Sequence, residues 1–309
     1  MILTHNITVE SGRPLLSVLR HEMELSAAMV KRLKHSNGIF INGMPVYTNH
    51  IVSTGEIVTA DISSAELPSN IVPEIGEINI LYETPFFIAL NKPPGIPVHP
   101  TRSKYTDTLA NYVAGYLLEH DGSACCHAVN RLDRDTSGVV LFAKNSHMKD
   151  RLSRALRRDD AVKEYVGIVY GSFSEPAGVI DLPIKRLREM DMIRVVAEDG
   201  QAAVTHYETV KAENVGEVLI SLVKFRLMTG RTHQIRVHCF SHGHPLLGDT
   251  LYYTEESRTA SAGLGLDVQA LHAQTLAFIE PVSKERMEIN APIIRDDIKK
   301  VNRILFPKV

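Results

Sequence analysis

The spacing of apolar residues changes repeatedly along this chain, and each change marks an element. "SAAMVKRLKH" sets good helix formers behind Ser26, a suitable N-cap, so a helix is expected there. Asn37-Gly38 breaks it, and "IFING" reads as a short strand turning at Asn42-Gly43. "INILYE" and "FFIALNK" read as two strands flanking Thr84-Pro85. "KPPGIPVHP" (92–100) is too rich in Pro and Gly for either regular element, so a shaped loop is expected. "TLANYVAGYLLEH" (108–120) has helical periodicity, and "GVVLFAK" (138–144) is a run with no polar face, hence a buried strand. "SHMKDRLSRALRR" (146–158) reads as a helix opened by Ser146 as cap. Strands follow at "KEYVGIVYGSF" (163–173) and "GEVLISLVKFRLM" (216–228). "THQIRVHCFSHG" (232–243) reads as a helix capped by Thr232 and closed by Gly243, and "RDDIKKVNRIL" as a C-terminal helix. Strands and helices do not alternate strictly, so the class is α+β.

Residues 1–62 read as a small N-terminal module, polar and Pro-containing 63–77 as a linker, and 78–309 as the second domain. Length changes little here: 309 residues allow about two domains. A net charge of −2 means that any nucleic-acid surface must be local. Lys31, Arg32, Lys34 and His35 gather near the end of the first helix, where a solvated helix end and an RNA contact are equally good readings. Three cysteines, two adjacent, cannot build a disulfide framework. With no basic-then-apolar N-terminal stretch and no apolar run long enough to span a bilayer, a cytoplasmic protein without a membrane partner is expected.

The candidate chemistry lies in "VNRLDRDTSGVVLFAK" (129–144). Asp133, Asp135, Ser137 and Gly138 imitate the start of a calcium loop, but Lys144 stands where a bidentate Glu belongs. A D-x-D phosphoryl-transfer pair needs its first acid directly off a buried strand, and here the strand follows instead. A single carboxylate held ionised by arginines remains, beside the plain reading of a salt-bridged turn. The helix at 232–243 shifts that balance. Ile235, Val237, Cys239 and Phe240 spread nearly all round it, so Arg236 must be buried among them and requires an anionic partner. Asp133 is the natural candidate. Arg231, in a Gly-containing turn at the helix N-terminus, suits a phosphate. His238 and His242 have zinc-ligand spacing, with His244 nearby, but no Glu follows the first His and no third ligand is evident.

These residues resemble the signatures of the RluA-type RNA pseudouridine synthases. The resemblance runs through "FFIALNKPPGIPVHP", "NRLDRDTSGVVLFAK", "KEYVGIVYG", "TGRTHQIRVHCFSHGHPLLGDTLY" and "LHAQTLAFIEP". Residues 26–58 are similar to the alpha-L RNA-binding motif that many members carry ahead of the catalytic domain. The resemblance implies a mixed, mostly antiparallel sheet with flanking helices and an RNA-binding cleft. It implies Asp133 as catalytic aspartate, Arg131 as the residue displacing the target uridine, Tyr165 packed on the uracil ring, and Arg236 paired with the aspartate. Asn130, Arg231 and His233 count as substrate contacts, and Lys31, Arg32 and Lys34 as RNA contacts of the module. Asn130 stands where the family usually has His, and Glu280-Pro281 where its last motif often has His-Pro.

The expected reaction is the isomerisation of uridine to pseudouridine, which exchanges no electrons or groups and needs no cofactor. Large-subunit ribosomal RNA is the expected substrate, with transfer RNA as the alternative, and the protein is expected to be a monomer. A non-catalytic RNA-binding or RNA-folding factor on the same scaffold, and a metal-dependent hydrolase using the histidines, are the competing readings.

Overall fold

The computed structural model describes residues 2–8, 12–62, 71–101, 105–189 and 191–305. Residues 63–70 of the expected linker lie outside these. Residues 71–77 run along a helix: Glu74 N donates to Asn111 O at 3.0 Å, and Asn111 Nδ2 donates to Val72 O at 2.8 Å.

The N-terminal residues form β1 (Ile2–Asn6), α1 (Leu15–Ser17) running into a π-helical turn, α2 (Ala27–His35), β2 (Ile39–Ile41), β3 (Met44–Pro45) and β4 (Ile57–Asp61). The four strands make one antiparallel sheet in the order β1-β4-β2-β3. Ser26 caps α2 as expected, its Oγ accepting from Met29 N at 3.1 Å. Asn42 and Gly43 both take positive φ, 48° and 80°, which is how a two-residue turn matches strand twist. Leu15, Leu19, Leu33, Val52 and Val58 are fully buried in a core that this segment closes by itself.

Ten further strands are β5 (Ile80–Glu83), β6 (Phe87–Lys92), β7 (His127–Ala128), β8 (Ser137–Ala143), β9 (Val162–Tyr170), β10 (Ala177–Asp181), β13 (Val204–Val215), β14 (Val218–Leu227), β15 (Leu271–Ile279) and β16 (Arg286–Asn290). They build one sheet in the order β10-β13-β14-β9-β15-β8-β6-β5, with β16 on β15 and β7 on β8. A separate ribbon pairs β11 (Ile184–Arg186) with β12 (Arg194–Val196). Helices are α3 (Leu109–Asp121), α4 (Ser146–Ala155), α5 (Gln234–Ser241), α6 (Glu255–Leu264) and α7 (Asp296–Leu305). The sheet is antiparallel except where β15 meets β8, so the expected mixed, mostly antiparallel α+β architecture is what forms.

The continuous apolar run of β8 has a layered cause. Val139, Leu141 and Ala143 pack with Met148 and Leu152 of α4, whereas Val140 and Phe142 pack with Leu109, Val113 and Leu117 of α3. A strand covered on both faces has no polar positions to spare. Where β8 begins, Gly138 takes φ +114° against β15, and a Cβ there would stand 2.1 Å from Ala273 O. Only glycine admits this approach.

Two caps differ from expectation. Asn145, not Ser146, caps α4, its Oδ1 accepting from Met148 N at 2.8 Å. Thr232 does not cap α5; His233 precedes it in the left-handed region, φ 60°, without a side-chain cap. Phe240, expected in the core, is 42% exposed in the last turn of α5. Among the described residues no helix is long and apolar enough to cross a membrane.

Candidate active site

The turn before β8 carries Asp133. Thr136 N donates to Asp133 O at 3.2 Å, closing the turn, and Thr136 and Ser137 are buried behind it. Ser137 Oγ is 2.9 Å from His272 Nδ1, and Gln269 Nε2 donates to Thr136 Oγ1, so β15 and its approach hold the turn from below. From the side, Lys92 Nζ donates to Arg134 O (2.6 Å), Pro93 O (2.8 Å) and Ile96 O (2.8 Å). One fully buried ammonium thus ties the "KPPGIPVHP" loop to the Asp133 turn. Burial pushes Lys92 down to about 7, against the opposing pull of Asp135 and Asp133.

Arg236 reaches the turn from α5 and is 5% exposed. Its Nη1 donates to Asp133 Oδ2 at 3.2 Å. Its Nε and Nη2 donate to Asp249 Oδ2 and Oδ1 at 2.6 and 2.8 Å. Burial disfavours the charge on Arg236, but Asp249 and then Asp133 more than offset that. The two acids differ in access: the Asp249 side chain is 0% exposed and that of Asp133 25%. Only Asp133 is open to a ligand.

A second chain of contacts ends at the same place. Arg194 N donates to Tyr252 Oη at 2.7 Å, and Tyr252 Oη lies 2.9 Å from His233 Nδ1. When that hydroxyl donates to Nδ1, the His233 proton lies on Nε2. That nitrogen faces Asp133 Oδ2 at 3.9 Å. Burial lowers the proton affinity of His233 despite Asp133, in keeping with a neutral ring.

Tyr165 lies on β9 and lines a cleft of about 660 Å³ together with Asn130, Arg131, Asp133 and Lys163. A smaller pocket of about 90 Å³ opens between Asp133, Tyr165, His233 and Arg236. Burial, and then the Asp133 charge, push the Tyr165 phenol above its ordinary value. Arg131 is exposed, lines both cavities, and has no hydrogen-bond partner among the described residues.

Other expected site residues are placed as follows. Asn130 borders the cleft, but its amide is engaged by β8: Oδ1 accepts from Leu141 N (2.8 Å) and Nδ2 donates to Val139 O (3.1 Å). Arg231 is exposed on the cleft wall, its Nε donating to Ala202 O at 2.9 Å. Lys31 and Lys34 are exposed on α2, and Arg32 donates to Ser146 Oγ at 3.3 Å. Arg134 pairs with Asp135 at 3.0 Å. Glu280 is elsewhere, its Oε2 accepting from Val282 N and Ser283 N in the turn before β16.

The histidines of α5 do not converge. His238 donates from Nε2 to Leu182 O (3.0 Å) and accepts at Nδ1 from Thr205 Oγ1 (2.9 Å), while His244 Nδ1 faces Tyr170 O. Among the described residues no three His, Cys, Asp or Glu side chains are grouped to hold a metal ion. Sequence reasoning missed Asp249, Tyr252, Lys92 and Gln234. Gln234 holds the "TGRT" turn, accepting from Arg231 N (2.9 Å) and Thr229 Oγ1 (2.8 Å). A single lysine closing the apolar run "FFIALNK" was the one available signal for Lys92.

The chain is similar to known proteins. Residues 86–241 match the family described as RNA pseudouridylate synthase. An uncharacterized RNA pseudouridine synthase of Bacillus subtilis (strain 168), YhcT, is 38% identical over 298 residues, covering 96% of this chain and 95% of its own. The ribosomal large subunit pseudouridine synthase D of Buchnera aphidicola subsp. Schizaphis graminum is 31% identical over 296 residues, covering 93% of this chain and 92% of its own. The solved human RNA pseudouridylate synthase domain containing 4 superposes with a TM-score of 0.58 at 25% identity, over 73% of this chain and 92% of its own. By these matches the chain belongs to the RluA-type family of RNA pseudouridine synthases and is an isomerase of that kind.

Proposed function

We propose that this protein isomerises uridines of large-subunit ribosomal RNA, with Asp133 as the working carboxylate and no cofactor. The observation that carries this is the position of Asp133. It is the one carboxylate, among the described residues, that lines both the open cleft and the inner pocket. A uracil turned out of its stack enters the pocket against Tyr165, and the sugar then faces Asp133. The carboxylate acts on the sugar as nucleophile or as base. The N1–C1′ bond breaks, the uracil turns, the C5–C1′ bond forms, the C5 proton leaves to solvent, and N1 takes up a proton in exchange. Nothing is gained or lost overall.

Arg236 fixes Asp133 in orientation through the hydrogen bond from its Nη1. With its phenol pushed up, Tyr165 acts as a neutral ring: it stacks, and its hydroxyl passes the C5 proton to water. Extruding a base costs a few kcal/mol, and unpartnered Arg131 offsets part of it by filling the space left behind. Asn130 acts by clamping β8 beside the turn. Arg231 and His233 border the substrate, His233 offering Nε2–H towards Asp133.

The target rests on two supports: the large-subunit enzyme among the relatives, and the self-contained module at 2–62 with Lys31, Arg32 and Lys34 on α2 as its RNA contacts. The test uses RNA from a strain lacking this protein, tritiated at uridine C5. Incubated with wild-type protein, the large-subunit ribosomal RNA should release tritium and the transfer RNA should not. The reverse pattern assigns the enzyme to transfer RNA.

A further inference from the structure

Beyond Asp133, the cleft continues along β9 to the end of α4, and that half has no part in the chemistry above. Ala161, Lys163 and Tyr165 all line it, the alternation of one strand face. Lys163 is therefore one same-face step from Tyr165, about 6.6 Å along the strand. It lies past the last β14 partner, since β14 pairs with β9 only as far as Glu164, opposite Arg226. Its other neighbour is Leu276 of β15. No carboxylate pairs with it: among the described residues the Lys163 ammonium has no hydrogen-bond or ion-pair partner. The nearby cations are differently committed. Arg158 is paired with Asp160 at 3.1 Å, and Arg157 Nε donates to Ser153 O. Burial lowers the proton affinity of Lys163. A half-buried cation is screened by salt much less than the exposed arginines around it.

From this geometry we infer that Lys163 is the floor of a phosphate subsite, which binds the backbone phosphate of the nucleotide next to the target uridine and so fixes which base lies over Tyr165. The inference rests on the proposed reading of the cleft as the place where RNA binds. It makes Lys163 a positioning residue, since it touches neither the reacting sugar carbon nor the base.

The test is binding of a fluorescein-labelled uridylate dodecamer at 50 to 200 mM salt by wild type, Lys163→Gln and Lys163→Arg. Loss of one phosphate contact should raise the Kd of Lys163→Gln about tenfold at the low-salt end and reduce the slope of log affinity against log salt by about 0.7. Lys163→Arg should keep both near wild type, and thermal melting of all three should coincide. An unchanged Kd and slope in Lys163→Gln overturns the subsite, as does equal weakening in Lys163→Arg. Tritium release from C5-labelled ribosomal RNA, measured alongside, reports on the reaction itself. Its absence in wild type defeats the functional reading, while the binding arm still decides the subsite.

Discussion

Asp249 holds Arg236 by two hydrogen bonds, of 2.6 and 2.8 Å, whereas Asp133 receives one, of 3.2 Å. The guanidinium is thus oriented by an acid with no access to substrate, which leaves Asp133 free of a bidentate clamp. Asp249 is itself fixed, its Oδ1 also accepting from Leu251 N and Tyr252 N.

Asp249→Asn should therefore harm both fold and catalysis. Breaking a buried pair costs roughly 3–5 kcal/mol, and a misplacement of the order of 1 Å at a reacting group costs about 100-fold in rate. Chemical denaturation and tritium-release kinetics would read these separately. Wild-type kcat in a folded Asp249→Asn protein would show that Arg236 needs no second acid.

Tyr252→Phe keeps the ring beneath Arg236, whose Cζ lies 5.1 Å from the ring centre, but deletes the hydroxyl between Arg194 N and His233 Nδ1. About 1–2 kcal/mol of stability should be lost, and His233 should lose its fixed tautomer. Nitrogen NMR of the histidine ring should show a single Nε2–H form in wild type and a mixture in the variant.

Lys92 gives a pH signature. Its folded value is about 7 and its ordinary value 10.5. Below both, folded and unfolded chains hold the proton equally. Between them the unfolded chain binds a proton that the folded chain has released, so stability contributed at this site rises with pH. The wild type should gain on Lys92→Met by at most about 1.4 kcal/mol per pH unit across that window. Lys92→Met should also be less stable throughout, with three carbonyls left without their donor. Parallel stability curves would mean that the buried ammonium keeps its ordinary proton affinity.

Gly138→Ala sets a Cβ against Ala273 O at a left-handed φ and should cost about 4 kcal/mol or more. Gly263→Ala is the contrast. It lies within α6, with nothing within 4 Å of its added Cβ, and should stabilise by up to about 1 kcal/mol. Melting temperatures of the two variants should move in opposite directions.

Much of this was legible in the chain because it is local. The unbroken apolar run of β8 announced a strand covered on both faces, and the ring of apolar residues around Arg236 announced a buried charge. That charge does meet Asp133, 103 positions away in sequence. Asp249 was not legible, because "GDTLY" is a short polar stretch whose importance arises only when the chain buries it beside Arg236. The strands β10 and β13 escaped notice because the sheet edge they form is half exposed, so their alternation is mostly polar. The α4 cap fell one residue early because Asn145 and Ser146 are equally able cappers. At α5, Gln234 ties the turn from inside the helix, so no cap was needed at Thr232.

The central claim is that Asp133 performs the isomerisation, and one comparison tests it most directly. Wild type and Asp133→Asn, matched in melting temperature, are mixed in excess over ribosomal RNA tritiated at uridine C5 and taken from a strain lacking the protein. Single-turnover release should be complete in wild type and absent in Asp133→Asn. Tritium release at the wild-type rate by the folded Asp133→Asn protein would contradict the account.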